Sequence, residues 1–317
     1  MTATFVLFSL TLFILGTCAS LEDSCLGFQY TPGRHESAGN AVTWQNSYCA
    51  KFYEDSRARH EIMESIAYST EVKNSGRSNA SSILSFFTFT DCGSKIQSKR
   101  YIEPLYSILR HPRAISCYDG VPKRTRFMMN QAYLILDDVS NPSVLSAKQK
   151  VYIDIGASKY KGESQEWMLL SYEARGIKFN RHLMWEARPR AGPDILFDVP
   201  SRFHNAYQYM NVPAIADARD ERNPLNVLKS IANASDFVVV KLDIDNHVLE
   251  SQFIEQIVSD PSLASLIDEF FYEPHFSFKP MVRCCWKNSA DPNTDLLKAF
   301  NVFTRLRQIG IRAHGWP

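Results

Sequence analysis

From Val151 to its end the chain predicts a doubly wound α/β fold with a mainly parallel sheet, and three observations carry that prediction. Short apolar runs alternate with segments of helical period, the pattern of βαβ units. One run, Asp236 to Leu242 (DFVVVKL), is almost continuously apolar, as expected of a strand covered by helices on both faces. The first strand, Val151 to Ile155, runs directly into a glycine-bearing loop, Gly156 to Gly162, that opens a helix.

The elements follow in order. Glu163 to Arg175 reads as a helix with Trp167, Leu170, Ser171 and Ala174 on one stripe, and Gly176 closes it as a C-terminal cap. His182 to Glu186 is the second strand, and Tyr207 to Pro213 leads into a third. Leu225 to Ala232 is helical, and a helix carrying Leu249, Phe253 and Ile257 on one face follows the apolar strand. Leu266 to Tyr272 is a further buried strand. The helix Asp295 to Ile309, stopped by Gly310, precedes a last strand, Ile311 to Trp316.

Residues 21–148 form an α+β region, divided from residues 149–317 by the polar stretch Asp137 to Lys150. A helix is expected from about Cys49 to Tyr68, strands at Ser85 to Thr90 and Ala132 to Leu136, and a helix from Tyr101 to Leu109 ended by Pro112. Residues 1–20 resemble a secretory signal peptide. The apolar run Phe5 to Gly16 is followed by small residues, with cleavage expected after Ser20, although no Lys or Arg precedes the run. That run is shorter than the roughly 20 residues a spanning helix needs, so no stable membrane span is expected after cleavage.

Removal of such a signal leaves Cys25, Cys49, Cys92, Cys117, Cys284 and Cys285. In an oxidising lumen these form up to three disulfides of open connectivity, concentrated in the N-terminal region. The sequons at Asn79 and Asn233 suit a glycoprotein of the secretory pathway, either secreted or retained in the lumen. A formal net charge of +1 leaves no basic field for nucleic acid.

The chemistry-bearing residues gather at expected strand ends. Asp154-Ile155-Gly156-Ala157-Ser158 follows the first strand, where glycine lets backbone approach a ligand closely. Glu186 ends the second strand, placed to accept ribose hydroxyls. After the apolar strand comes Lys241-Leu242-Asp243-Ile244-Asp245-Asn246-His247. In a parallel sheet His247, His275 and His314 fall near the same edge as Asp243, Asp245 and Glu273. A histidine there serves as a general base or joins the carboxylates on a metal.

The motifs VYIDIGAS…GES, WE, DFVVVKLDID and LIDEFF resemble the FkbM-like branch of class I S-adenosylmethionine-dependent methyltransferases, over roughly residues 151–317. The resemblance implies that Asp154 and Gly156, with Ala157, line the methionine end of the cofactor. It further implies that Glu186 holds the ribose, with Asp243 completing the set. Asp245-Asn246 stands where that family has glutamate-glycine. Asp245 and His247 are the candidate catalytic pair for removing a proton from a hydroxyl of a small-molecule or glycan acceptor. Two alternatives remain at this point. One is a metal-dependent glycosyltransferase using Asp243-x-Asp245; the other is a secreted binding module that keeps the fold without the chemistry.

Overall fold

A computed structural model describes residues 27–32, 85–90, 96–103, 105, 134–135, 142–161, 164–278, 282 and 286–316. The expected signal peptide, the helix Cys49–Tyr68, Gly162, Glu163, the sequon at Asn79 and all the cysteines lie outside these residues.

The described chain contains a three-stranded antiparallel sheet and a six-stranded parallel one. The first comprises β1 (Gly27–Thr31), β2 (Ser85–Thr90) and β3 (Ile96–Ile102). The second begins after α1 (Pro142–Ser146). It runs β4 (Lys150–Ile155), α2 (Ser164–Glu173), β5 (Arg181–Trp185), α3 (Gly192–Phe197), α4 (Ser201–His204), β6 (Tyr207–Met210) and α5 (Pro224–Ile231). It continues with β7 (Phe237–Leu242), α6 (His247–Ser259), α7 (Pro261–Ala264), β8 (Glu269–Tyr272), α8 (Leu296–Gln308) and β9 (Arg312–Gly315).

The large sheet has the order β6-β5-β4-β7-β8-β9, and every pairing in it is parallel. Chain order thus reverses between β4 and β7, the switch point at whose carboxyl edge ligands bind in open α/β sheets. Alternation of side chains along the strands makes two apolar layers. On one face Val151, Ile153, Val238, Val240 and Phe270 meet Phe253, Ile257, Phe300 and Phe303 of α6 and α8. On the other, Tyr152, Met184, Val239 and Phe271 meet Met168, Leu169 and Tyr172 of α2. Burial on both faces explains why β7 is apolar almost throughout.

Three expectations are corrected. Helix α2 buries Gln165, Met168, Leu169 and Tyr172, while Leu170 of the expected stripe is 38% exposed. Apolar residues at Trp167 through Leu170 wrap the whole helix, so period alone does not choose the inner face. Tyr101 and Ile102 end a strand rather than start a helix, because they pair with Phe86 and Ser85. Leu134 and Ile135 are buried but not in a strand; the Ile135 carbonyl accepts from Arg175 Nε at 3.0 Å instead of from a ladder.

The two sheets share a polar junction. Fully buried Arg307 on α8 donates to Glu103 at 3.2 Å, to the Tyr30 hydroxyl at 3.3 Å and to the Ala313 carbonyl at 2.9 Å. Leu105 and Leu134 enter the apolar layers of the large sheet, so described parts of the N-terminal region complete its core.

Candidate functional site at the carboxyl edge

The loop after β4 is fastened to the end of β5. Gly156 and Ala157 donate their amides to the Trp185 carbonyl at 3.0 and 2.8 Å, and the Ser158 amide donates to Glu186 Oε2 at 2.9 Å. Glu186 Oε1 accepts the Arg188 amide at 2.6 Å. An ionised carboxylate offers about four lone-pair sites, so two remain on this mostly buried side chain. Tyr209 and Asn211 buttress the same edge through the Ser158, Glu186 and Arg188 carbonyls.

Gly156 has φ +97°, and a Cβ placed on it would stand 1.7 Å from the Asp243 carbonyl oxygen. Its glycine character is therefore required by the loop after β7, against which it packs. Ala157 is fully buried. Asp154 is fully buried as well, accepting from the Tyr152 hydroxyl at 2.9 Å and lying 3.4 Å from Lys241 Nζ. The structure thus puts Asp154 beneath the edge, where it holds Lys241. Burial pushes the Asp154 carboxyl up against the opposing pull of Lys241 and Tyr152. Burial likewise disfavours a charged Lys241, but Asp154 and Asp243 outweigh it and raise its pKa. A lysine with two carboxylates at 3.4 and 3.1 Å stays charged, and that is the direction we adopt for the pair.

The loop after β7 carries the acids. Asp243 accepts from Lys241 at 3.1 Å and is 22% exposed; Asp245, at φ +57°, is 60% exposed. Asn246 caps α6 through the Leu249 amide. His247, the expected base, is turned aside: its Nδ1 lies 3.0 Å from the Ser289 carbonyl.

The histidine brought to the acids is His275, after β8. Its Nδ1 meets Glu250 Oε2 at 2.9 Å, with both side chains wholly buried. Glu250 Oε1 accepts the Ile244 amide at 3.0 Å. His275 Nε2 stands 3.3 Å from Asp245 Oδ1 and 3.5 Å from Glu273 Oε2. Burial opposes a charged His275, but the carboxylates of Asp245, Glu250 and Glu273 outweigh it and push its pKa up to about 12. The His275 ring in turn holds Asp245 below the usual carboxylate range. Burial, then the charge of Asp243, raises Glu273 to about 7. Trp286 donates to Glu273 Oε1 at 2.8 Å, and its ring meets the His275 ring edge-on at 5.4 Å.

The Asp243-x-Asp245 pair divides, Asp243 toward Lys241 and Asp245 toward His275. Among the described residues, those whose ligand-capable atoms all lie within 4.8 Å of one another are Asp243, Glu250 and His275. Glu250 was not singled out from the sequence, yet a signal existed. It shares the stripe of Phe253, Ile254 and Ile257 on α6, and an acid on an apolar stripe needs a buried partner.

His314 does not join this site; its Nδ1 lies 3.0 Å from Glu103 at the junction between the sheets. A cavity of about 190 Å³ lies at the amino end of β5, lined by Leu169, Phe179, His182, Arg202 and Phe203, on the opposite edge from these groups. Among the described residues no helix is long and apolar enough to cross a membrane. No protein-family model, curated protein or solved structure matches the chain.

Proposed function

We propose that this protein is an S-adenosylmethionine-dependent O-methyltransferase of the FkbM-like type, acting on a glycan or another polyhydroxylated acceptor in the secretory pathway. The observation that carries this reading is Glu186, held at the end of β5 by the Ser158 and Arg188 amides beside the switch point. Its two remaining lone-pair sites suit the vicinal hydroxyls of a ribose. Asp154 contributes indirectly, by holding Lys241 under the loops.

When bound, the cofactor supplies a methyl group on a sulfonium. The chain's own residues orient the acceptor hydroxyl for in-line attack, which is chiefly a matter of proximity. They also receive the proton that the hydroxyl loses. Asp245, the most exposed acid of the edge cluster, is the group assigned to take that proton, with His275 and Glu250 behind it.

Calorimetric titration with S-adenosylhomocysteine tests the reading. The unmodified protein should bind it. Glu186→Ala should weaken binding by roughly ten- to a hundredfold, the loss of a charge-assisted bond of ~1.5–3 kcal/mol. An unmodified protein with no affinity for S-adenosylhomocysteine would refute it.

A further inference from the structure

The carboxyl edge gathers carboxylates around one ring. Asp243, Asp245, Glu250 and Glu273 surround a single imidazole, and Lys241 is shared between Asp243 and buried Asp154.

The orientation of His275 gives that cluster a use. Glu250 occupies Nδ1 from behind and is itself satisfied by the Ile244 amide, so ring orientation is set. Nε2 is left facing the carboxylates, buried and without a hydrogen-bond partner. An unsatisfied buried ring nitrogen is costly, and more so where acceptors stand nearby.

Its separations of 3.3 Å from Asp245 and 3.5 Å from Glu273 are long for charge-assisted bonds, which run about 2.7–2.9 Å. They suit neighbours on one ion instead: donors at about 2.1 Å from a metal are themselves roughly 3.0–3.4 Å apart at octahedral or tetrahedral angles. Ligand-capable atoms of Asp243 and Glu250 also fall within 4.8 Å of one on His275, a different grouping that adds carboxylates around the same ring. A carboxylate bonded to the far nitrogen of a metal-binding histidine is the usual backing of such sites.

We propose that His275 Nε2, with Asp245 and Glu273 as its carboxylate neighbours and Glu250 behind the ring, binds a divalent transition-metal ion of the manganese or zinc class. An imidazole among carboxylates suits those ions better than calcium or magnesium, which prefer oxygen-only sets. The site does not depend on the methyltransferase reading.

The experiment is a Mn²⁺ titration of the full chain, followed by electron paramagnetic resonance of free Mn²⁺ and by tryptophan fluorescence, since Trp286 sits against His275. Saturation near one equivalent is expected. Asp245→Asn should weaken it by about tenfold or more, and His275→Gln should abolish it, in line with the 10- to 100-fold losses seen when even outer partners are removed. Circular dichroism checks the fold. If buried His275→Gln does not fold, Asp245→Asn and Glu273→Gln decide. No saturable binding, binding unchanged in Asp245→Asn and Glu273→Gln, or full competition by equimolar Mg²⁺ or Ca²⁺ would overturn the proposal. S-adenosylhomocysteine affinity, measured separately on the same preparations, shows whether the methyltransferase reading stands or falls without it.

Discussion

Two buried glutamate–histidine pairs sit among the described residues, and their surroundings differ. At the junction of the sheets, Glu103 meets His314 at 3.0 Å and Arg307 at 3.2 Å, so a carboxylate has a permanent cation as well as an imidazole. At the carboxyl edge, Glu250 meets His275 at 2.9 Å, and three further carboxylates gather there, with Lys241 beside Asp243 and the charge of Arg188 acting on Asp245. The first arrangement joins elements distant in sequence and is closed to solvent. The second opens to solvent through Asp245. The same residue pair is therefore sealed in one place and borders solvent in the other.

The largest expected effect breaks the edge cluster from beneath. Gly156→Val places a branched side chain at φ +97° with its Cβ on the Asp243 carbonyl. Loss of more than ~4 kcal/mol of stability is expected, read by urea unfolding. A variant as stable as the parent would mean that the two loops do not touch.

Next comes the sealed pair. Arg307→Leu leaves Glu103 buried without its guanidinium, which should cost ~3–5 kcal/mol. Thermal unfolding measures this, and a loss below ~1 kcal/mol would remove the distinction between the two pairs.

The third effect is the pH dependence of the edge. Glu273 is raised from 4.5 to about 7 and His275 from 6.5 to about 12, so both bind protons more tightly folded than unfolded. Stability from such groups is greatest at low pH and falls as pH rises. The fall spans 4.5 to about 7 for Glu273, and runs from 6.5 upward for His275. Glu273→Gln should flatten the unfolding free energy between pH 4.5 and 7 relative to the parent. Parallel curves for the two proteins would contradict the assignment.

The smallest effect is Asp245→Asn. Its side chain is 60% exposed and asparagine tolerates the left-handed backbone that Asp245 adopts, so stability should change by less than ~0.5 kcal/mol. A large loss would move Asp245 from the open side of the comparison to the sealed one.

By itself, the sequence determined the layered fold of residues 151–316. DFVVVKL reads as a doubly covered strand, Gly176 and Gly310 stop their helices at φ +79° and +98°, and the acids Asp154, Glu186 and Asp243 mark strand ends. These signals are local, because strand burial and helix termination depend on a few consecutive residues. The tertiary structure alone decided which side chains meet. His247 and His275 stand equally near the edge along the chain, but His247 turns to Ser289 while His275 is seized by Glu250, 25 residues away. Likewise His314 was drawn off by Glu103, 211 residues distant, and Asp154 was drawn under the edge by Lys241. Pairing of buried charges is set by strand order and helix rotation, and neither is encoded in the spacing of the residues that pair.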